Sequence, residues 1–335
     1  MGDFLRAHGD WDQAAALHKT ALTAARQARD GPGQALALRQ LGVVTWMSGD
    51  FQAAEANLTL AVALYGEAGD RPGQAYALTQ LGMVQQQTGD YPASLASRRQ
   101  ALTLARGAGD RLVEAVALNH LSLVQRLTGD YPAAAANVKQ ALDVFCGLGH
   151  RLGEADALGN LGITQREAGD YPASAASLTR ALRLFSDRGY RVGQAWVLND
   201  LGLLQQLTGD YPAAAASHQQ ALELYRDFGN LAGVADTLNN LGGLSSRTSA
   251  THQARDHHNQ ALVLARNIGV PLEEARALEG IAHSHLQDGH PGKGLDCLRQ
   301  ALGIYQRIGS PRAQRLQETL RQYGQEPAAL SPPTT

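Results

Sequence analysis

Six histidines crowd one stretch of the chain: His252, His257, His258, His283, His285 and His290. Imidazole nitrogens are common metal ligands, and adjacent helices can gather several round an ion. Here no pair has the i,i+4 spacing that puts two histidines on one helical turn, and no cysteine or acidic residue completes a set. The alternative places His258 in a packing column and leaves the other rings in solvent. The expectation is no metal and no cofactor. The stretch GHPGKG at 289–294 superficially suggests a phosphate loop, but it lacks the Ser or Thr after the lysine and the spacing before it. The aspartates recur at helix starts, where they cap, which leaves little for a general acid–base pair. No catalytic signature remains, and the chain is expected not to be an enzyme.

The amides are more informative. Asn119, Asn160, Asn199, Asn239 and Asn240, with Gln80, His120 and Asp200, recur beside Met83, Leu123, Ile163 and Leu203. A side-chain amide can pair with both the N–H and the C=O of an extended peptide. Aliphatic neighbours would take the peptide's side chains.

What positions these residues is a period. GDYPA occurs at Gly89, Gly129, Gly169 and Gly209, forty residues apart each time. Leu38 and Leu78, Gly69 and Gly109, and Ala61 and Ala101 open columns that continue at the same pitch to the end of the repeats. A stack of this kind grows lengthwise without one central core, so 335 residues need not mean two domains. Each period carries two helical patterns. Ala75, Leu78, Leu81 and Gly82 share one face of the first helix, and Ala54, Leu58, Ala61, Val62 and Tyr65 share one face of the second. Asp30, Asp70, Asp110, Asn230 and Ser310 stand where an N-cap acceptor is needed, and Pro32, Pro72, Pro271 and Pro311 follow in the first turn. GDYPA is the corner inside each pair: the Gly reverses the chain, the Pro starts the next helix, and the aromatic is expected to plug the corner. Phe51 and Trp11 fill the aromatic column in earlier units.

Leu38, Leu41, Gly42, Ala54 and Ala61 follow the spacing of the tetratricopeptide repeat, and the resemblance covers residues 1–310. The unit is longer than the family's usual 34 residues. In this it is similar to the repeats of kinesin light chains and to the C-terminal arrays of actinobacterial transcriptional regulators. The resemblance implies an all-α, right-handed α-solenoid of about seven and a half helix pairs. The capped, mostly polar SPRAQRLQETLRQYG is suited to closing the stack as a C-terminal capping helix, which puts the array at 1–323, and the Pro-rich end at 324–335 is expected to be a disordered tail. It also implies that the first helix of each pair lines the concave side.

With Leu38, Leu41 and Gly42 turned to the core, columns 36, 40 and 43 face the groove. Column 36 reads Leu36, Tyr76, Val116, Asp156, Trp196, Asp236 and Arg276. The candidate peptide-binding set is therefore Tyr76, Gln80, Met83, Asn119, His120, Leu123, Asn160, Ile163, Trp196, Asn199, Asp200, Leu203, Asn239 and Asn240. Arg126 and Arg166, one turn further on, supply charge. The resemblance puts Asn160 and Asn240 where the family contacts ligands. The alternative is that tight winding packs these columns against each other. Gln85, Gln125, Gln165 and Gln205 read as structural bonds to the corner.

Lys plus Arg is 29 and Asp plus Glu 31, a net charge of −2 that leaves no footprint for nucleic acid or an anionic membrane. The expected partner is a protein or peptide segment, docked as in the sensor region of a bacterial regulator. The alternative is self-association into a homo-oligomer. Cys146 and Cys297 lie almost four units apart and read as free, buried thiols, which with no apolar leader fits a reducing cytoplasm. The first unit lacks most of its first helix, so the chain reads as a piece of a longer one. Ser249-Ala250-Thr251 replaces the Gly, Asp and Tyr of the corner and should be the weakest joint.

Overall fold

The computed structural model describes residues 11–325, among which there are sixteen helices and no strands. The expectations for the first ten residues and for 326–335 lie outside the described residues. Helix α1 (Trp11–Gln27) is followed by seven antiparallel pairs: α2 (Gly31–Met47) with α3 (Phe51–Glu67), α4 (Arg71–Gln87) with α5 (Tyr91–Ala108), α6 (Arg111–Leu127) with α7 (Tyr131–Gly147), and α8 (Arg151–Glu167) with α9 (Tyr171–Asp187). The series continues with α10 (Arg191–Thr208) and α11 (Tyr211–Asp227), α12 (Leu231–Arg247) and α13 (Thr251–Ile268), and α14 (Pro271–Gln287) and α15 (Pro291–Arg307). Helix α16 (Arg312–Gln325) closes the stack with Leu316 buried.

The corners form as the period requires. Asp90 caps α5 by accepting from the Ala93 N–H at 3.0 Å, and Pro92 sits in the first turn, where its missing N–H costs nothing. Gly89 holds φ at +85°, a left-handed conformation that glycine adopts without strain. Between α12 and α13, Ser249 must take φ +61° instead, and Ala250 offers no side-chain cap. The Leu-Gly column exists for close approach: a Cβ at Gly202 would stand 2.6 Å from the His218 ring. The glutamine column bonds the two helices of a pair rather than the corner itself. Ser97 donates to Gln85 Oε1 at 2.9 Å, and Ser177 donates to Gln165 Oε1 at 2.8 Å.

The aromatic corner has a different role from the expected plug. Trp11 donates its indole N–H to the Phe228 carbonyl, 217 residues away. The same offset brings Phe51 into one apolar cluster with Ile268 and Val270, and Tyr91 into one with Ile308. The array thus winds through a full turn in about five and a half units, and successive turns touch along a seam. Trp11, Phe51 and Tyr91 are buried because the next turn covers them. Tyr131 has no such cover and is 39% exposed. Burial of this residue is set by the superhelix, not by its own helix pair.

Candidate functional site

The first helices of neighbouring pairs touch one another along the array, which sets them on the inner layer with the second helices outside. On the inner flank, Tyr76, Gln80, Met83, His120, Leu123, Arg126, Arg166, Trp196 and Leu203 remain partly exposed, whereas Ile163 is buried. Asn119, Asn160, Asn199, Asp200, Asn239 and Asn240 are all buried.

These buried amides bond between units, not to an open groove. Asn160 Nδ2 donates to Asn119 Oδ1 at 3.0 Å, and Asn240 Nδ2 donates to Asn199 Oδ1 at 3.1 Å. Asn199 Nδ2 reaches Asp236 Oδ2 at 2.7 Å, and Asn239 Nδ2 reaches Glu273 Oε2 at 2.9 Å. The ladder fixes the spacing of adjacent first helices, because an amide buried without its partner would cost about 1–3 kcal/mol.

Two histidines of the outer helices complete it. His218 fills the apolar column under Gly202. Its Nδ1 lies 2.9 Å from Asn199 Oδ1 and its Nε2 2.7 Å from Gln206 Nε2. Asn199 Oδ1 can only accept and Gln206 Nε2 can only donate, so the ring is the neutral Nδ1–H tautomer. His258 packs against Gly242 and Gly280 and meets Asn239 Oδ1 at 3.1 Å. Burial pushes both rings down to about 4.

The expected free charges are paired. Arg126 Nη1 binds Glu167 Oε1 at 2.7 Å, and Arg166 Nη1 binds Asp200 Oδ1 at 2.8 Å. Burial raises the Asp200 carboxyl, and Arg166 works against that rise. Further along, Arg276 bridges Asp236 and Asn240 Oδ1 and also binds Glu273 Oε2 at 2.9 Å. Burial pulls its guanidinium down, but Glu273 and Asp236 outweigh it and hold the group charged.

Sequence reasoning missed Arg98. It lies fully buried in the same column as Leu58 and Leu178, under Gly82, and donates to the His120 carbonyl; its Nε and Nη2 have no partner. Burial lowers it to about 9, and burial with Arg98 nearby lowers His120 to about 3. The signal was an arginine in an otherwise apolar or histidine column. Also unexpected is Cys146, which is exposed rather than buried; Cys297 is half-buried. Of the late histidines, His285 and His290 meet edge to face at 6.2 Å, His252 lies against Arg255 and His283 is exposed. Among the described residues no three His, Cys, Asp or Glu side chains converge on a common point suited to an ion. No described helix is long and apolar enough to cross a membrane.

The tetratricopeptide repeat family model matches residues 1–67, 73–147, 153–227 and 193–267. The chain belongs to the tetratricopeptide repeat family. Solved structures show the same fold. A Rap protein complexed with competence and sporulation factor is 13% identical, with TM-score 0.67 over 92% of this chain and 96% of that one. The Cut9–Hcn1 hetero-tetramer of APC/C is 19% identical, with TM-score 0.66 over 95% of this chain and 54% of that one. The apo form of RapI is 13% identical, with TM-score 0.59 over 82% and 98%. A comparison with curated protein sequences finds no match.

Proposed function

We propose that this chain is a non-enzymatic scaffold whose inner face captures an extended segment of a partner protein. One observation carries the reading. After all seven pairs have packed, Tyr76, Met83, Leu123, Trp196 and Leu203 still present accessible surface along one inner stripe, with Tyr76 and Trp196 resting on the helix-pair cores by their inner edges. The buried amides beneath them, Asn119, Asn160, Asn199, Asn239 and Asn240, hold that stripe at fixed spacing. The structural neighbours are consistent with this reading: one is complexed with a competence and sporulation factor, and another sits in a hetero-tetramer. Docking of a partner in a bacterial regulatory protein of the cytoplasm is the setting we favour. The test is capture from a native lysate, followed by Met83→Glu and Leu203→Glu. Both substitutions should leave helicity intact and abolish recovery of the captured protein. Undiminished recovery would move the binding surface elsewhere.

A second reading, self-association, has its own observation. The seam that buries Tyr91 runs out at Tyr131, and Leu148 on the outer corners is 52% exposed. A concentration-dependent rise in mass by light scattering, abolished by Tyr131→Ser with Leu148→Ser, is the result this reading expects.

A further inference from the structure

The chain contains one acceptor constellation twice, paired with an arginine in one place and with none in the other. In the filled copy, Asn199 and Asn240 bond each other, Asn199 holds Asp236, and Arg276 lays its guanidinium across Asp236 and Asn240 Oδ1. Two units earlier stand Asn119, Asp156 and Asn160, identical in type and column, with Asn160 again donating to Asn119 at 3.0 Å. The residue in the column of Arg276 is here Trp196. No guanidinium arrives. Asn160 is 5% exposed and its Oδ1 has no partner. Asp156 makes no hydrogen bond or ion pair with any described residue, and its carboxyl is pushed up to about 7 by burial. Trp196 leans over α8 so closely that a Cβ on Gly159 would lie 2.5 Å from its ring.

Every unsatisfied group named here is an acceptor. A ligand that satisfies them must bring several N–H donors in one plane, and a positive charge for the carboxylate. A guanidinium fork does both, and its flat face suits an indole wall better than an ammonium does.

We propose that the Asp156–Asn160 pair, walled by Trp196, is a guanidinium slot in the inner face that takes an arginine side chain of the partner segment, in the place that Arg276 fills two units later. The proposal deepens the groove reading and rests on it. The slot also explains why an unpaired carboxyl is kept here: its charged form is unfavourable in the free chain and is relieved by protonation or by an arriving cation.

The experiment has two arms. In the first, full-length 15N-labelled protein is titrated with acetyl-Leu-Arg-Leu-amide, with its lysine and citrulline counterparts, and with free L-arginine, following the Trp196 indole signal. The arginine peptide should shift that signal and bind at least about tenfold tighter than the citrulline peptide, the ordinary scale of one charge-assisted contact. Asp156→Asn should lose the preference while melting no lower than the parent at pH 8. A response to free L-arginine equal to that of the peptide keeps the slot and assigns it to a small guanidine. Equal binding of arginine and citrulline peptides, or full binding by Asp156→Asn, overturns the slot. Peptide binding that leaves Trp196 unmoved overturns the slot and spares the groove; no peptide binding by calorimetry overturns both. The second arm needs no ligand. Trp196→Arg should fill the slot from within, as Arg276 does. It should raise the melting temperature in the parent relative to its effect in the Asp156→Asn background. Equal effects in the two backgrounds would count against the assignment.

Discussion

At the scale of single residues, most of the buried amides, acids and imidazoles of the inner layer bond to a defined partner in a neighbouring helix, and Asn160 Oδ1 and two nitrogens of Arg98 do not. His218 and His258 occupy a column that elsewhere holds Leu58, Leu178 and Leu298, and both are neutral in the fold. An unfolded histidine titrates near 6.5, whereas these two are pushed down to about 4 by burial. Between those values the unfolded chain binds protons that the folded chain refuses, so their contribution to stability is lost as the pH falls through that window. Asp156 acts in the opposite sense: its carboxyl lies near 7 in the fold against an ordinary 3.8, so the free chain gains stability as it protonates. The double variant His218→Leu, His258→Leu should therefore show a flatter melting temperature between pH 6.5 and 4 than the parent. Parallel curves would mean that neither ring resists protonation. Asn199→Ala should cost about 1–3 kcal/mol in denaturant unfolding, because it removes one bond each from Asp236, His218 and Asn240.

At the scale of the helix pair, the corner between α12 and α13 is where local rules are broken and the geometry persists. Ala250 N–H still reaches the Ser245 carbonyl at 2.8 Å, as Asp90 N–H reaches Gln85 at 2.8 Å. The difference is what it costs. Ser249 holds a left-handed φ without being glycine, and α13 starts with no side-chain cap. Ser249→Gly should stabilise by about 1 kcal/mol through relief of that conformation. Ala250→Asp should add about 1 kcal/mol by capping the Gln253 N–H. Both are read as shifts in denaturant midpoint, and together they should slow amide exchange over residues 243–256. No gain from either would show that the joint is already held by its neighbours.

At the scale of the molecule, the seam between superhelical turns divides chemically identical tyrosines into two classes. Tyr91 is 2% exposed and Tyr131 39% exposed, although both stand in the same GDYPA corner. Tyr91→Ala should cost about 3–5 kcal/mol and Tyr131→Ala less than about 1 kcal/mol. Equal costs would place the burial of Tyr91 inside its own pair and remove the seam. Contacts at a separation of 217 residues also mean that unfolding one end exposes the other. Melting should accordingly be more cooperative than in a chain of units that touch only their sequence neighbours.

Helix starts, corners, the pairing of helices and the packing columns were legible in the sequence, because each depends on residues within one unit and repeats every forty positions. Asp90 caps where an aspartate was expected, Gly89 reverses the chain, and Gly202 admits the next helix. Columns 36, 40 and 43 were legible as positions on the first helices, whereas the bonds their side chains make between units were not. The winding that brings Trp11 to Phe228 is a small rotation per unit accumulated over more than five units, and no local pattern encodes that sum. It decided which aromatic corners are buried. Contacts between first helices decided that Asn160 and Asn240 bond to Asn119 and Asn199 instead of standing free. They also determine that Asp236 meets an arginine while Asp156, in the same column, meets none.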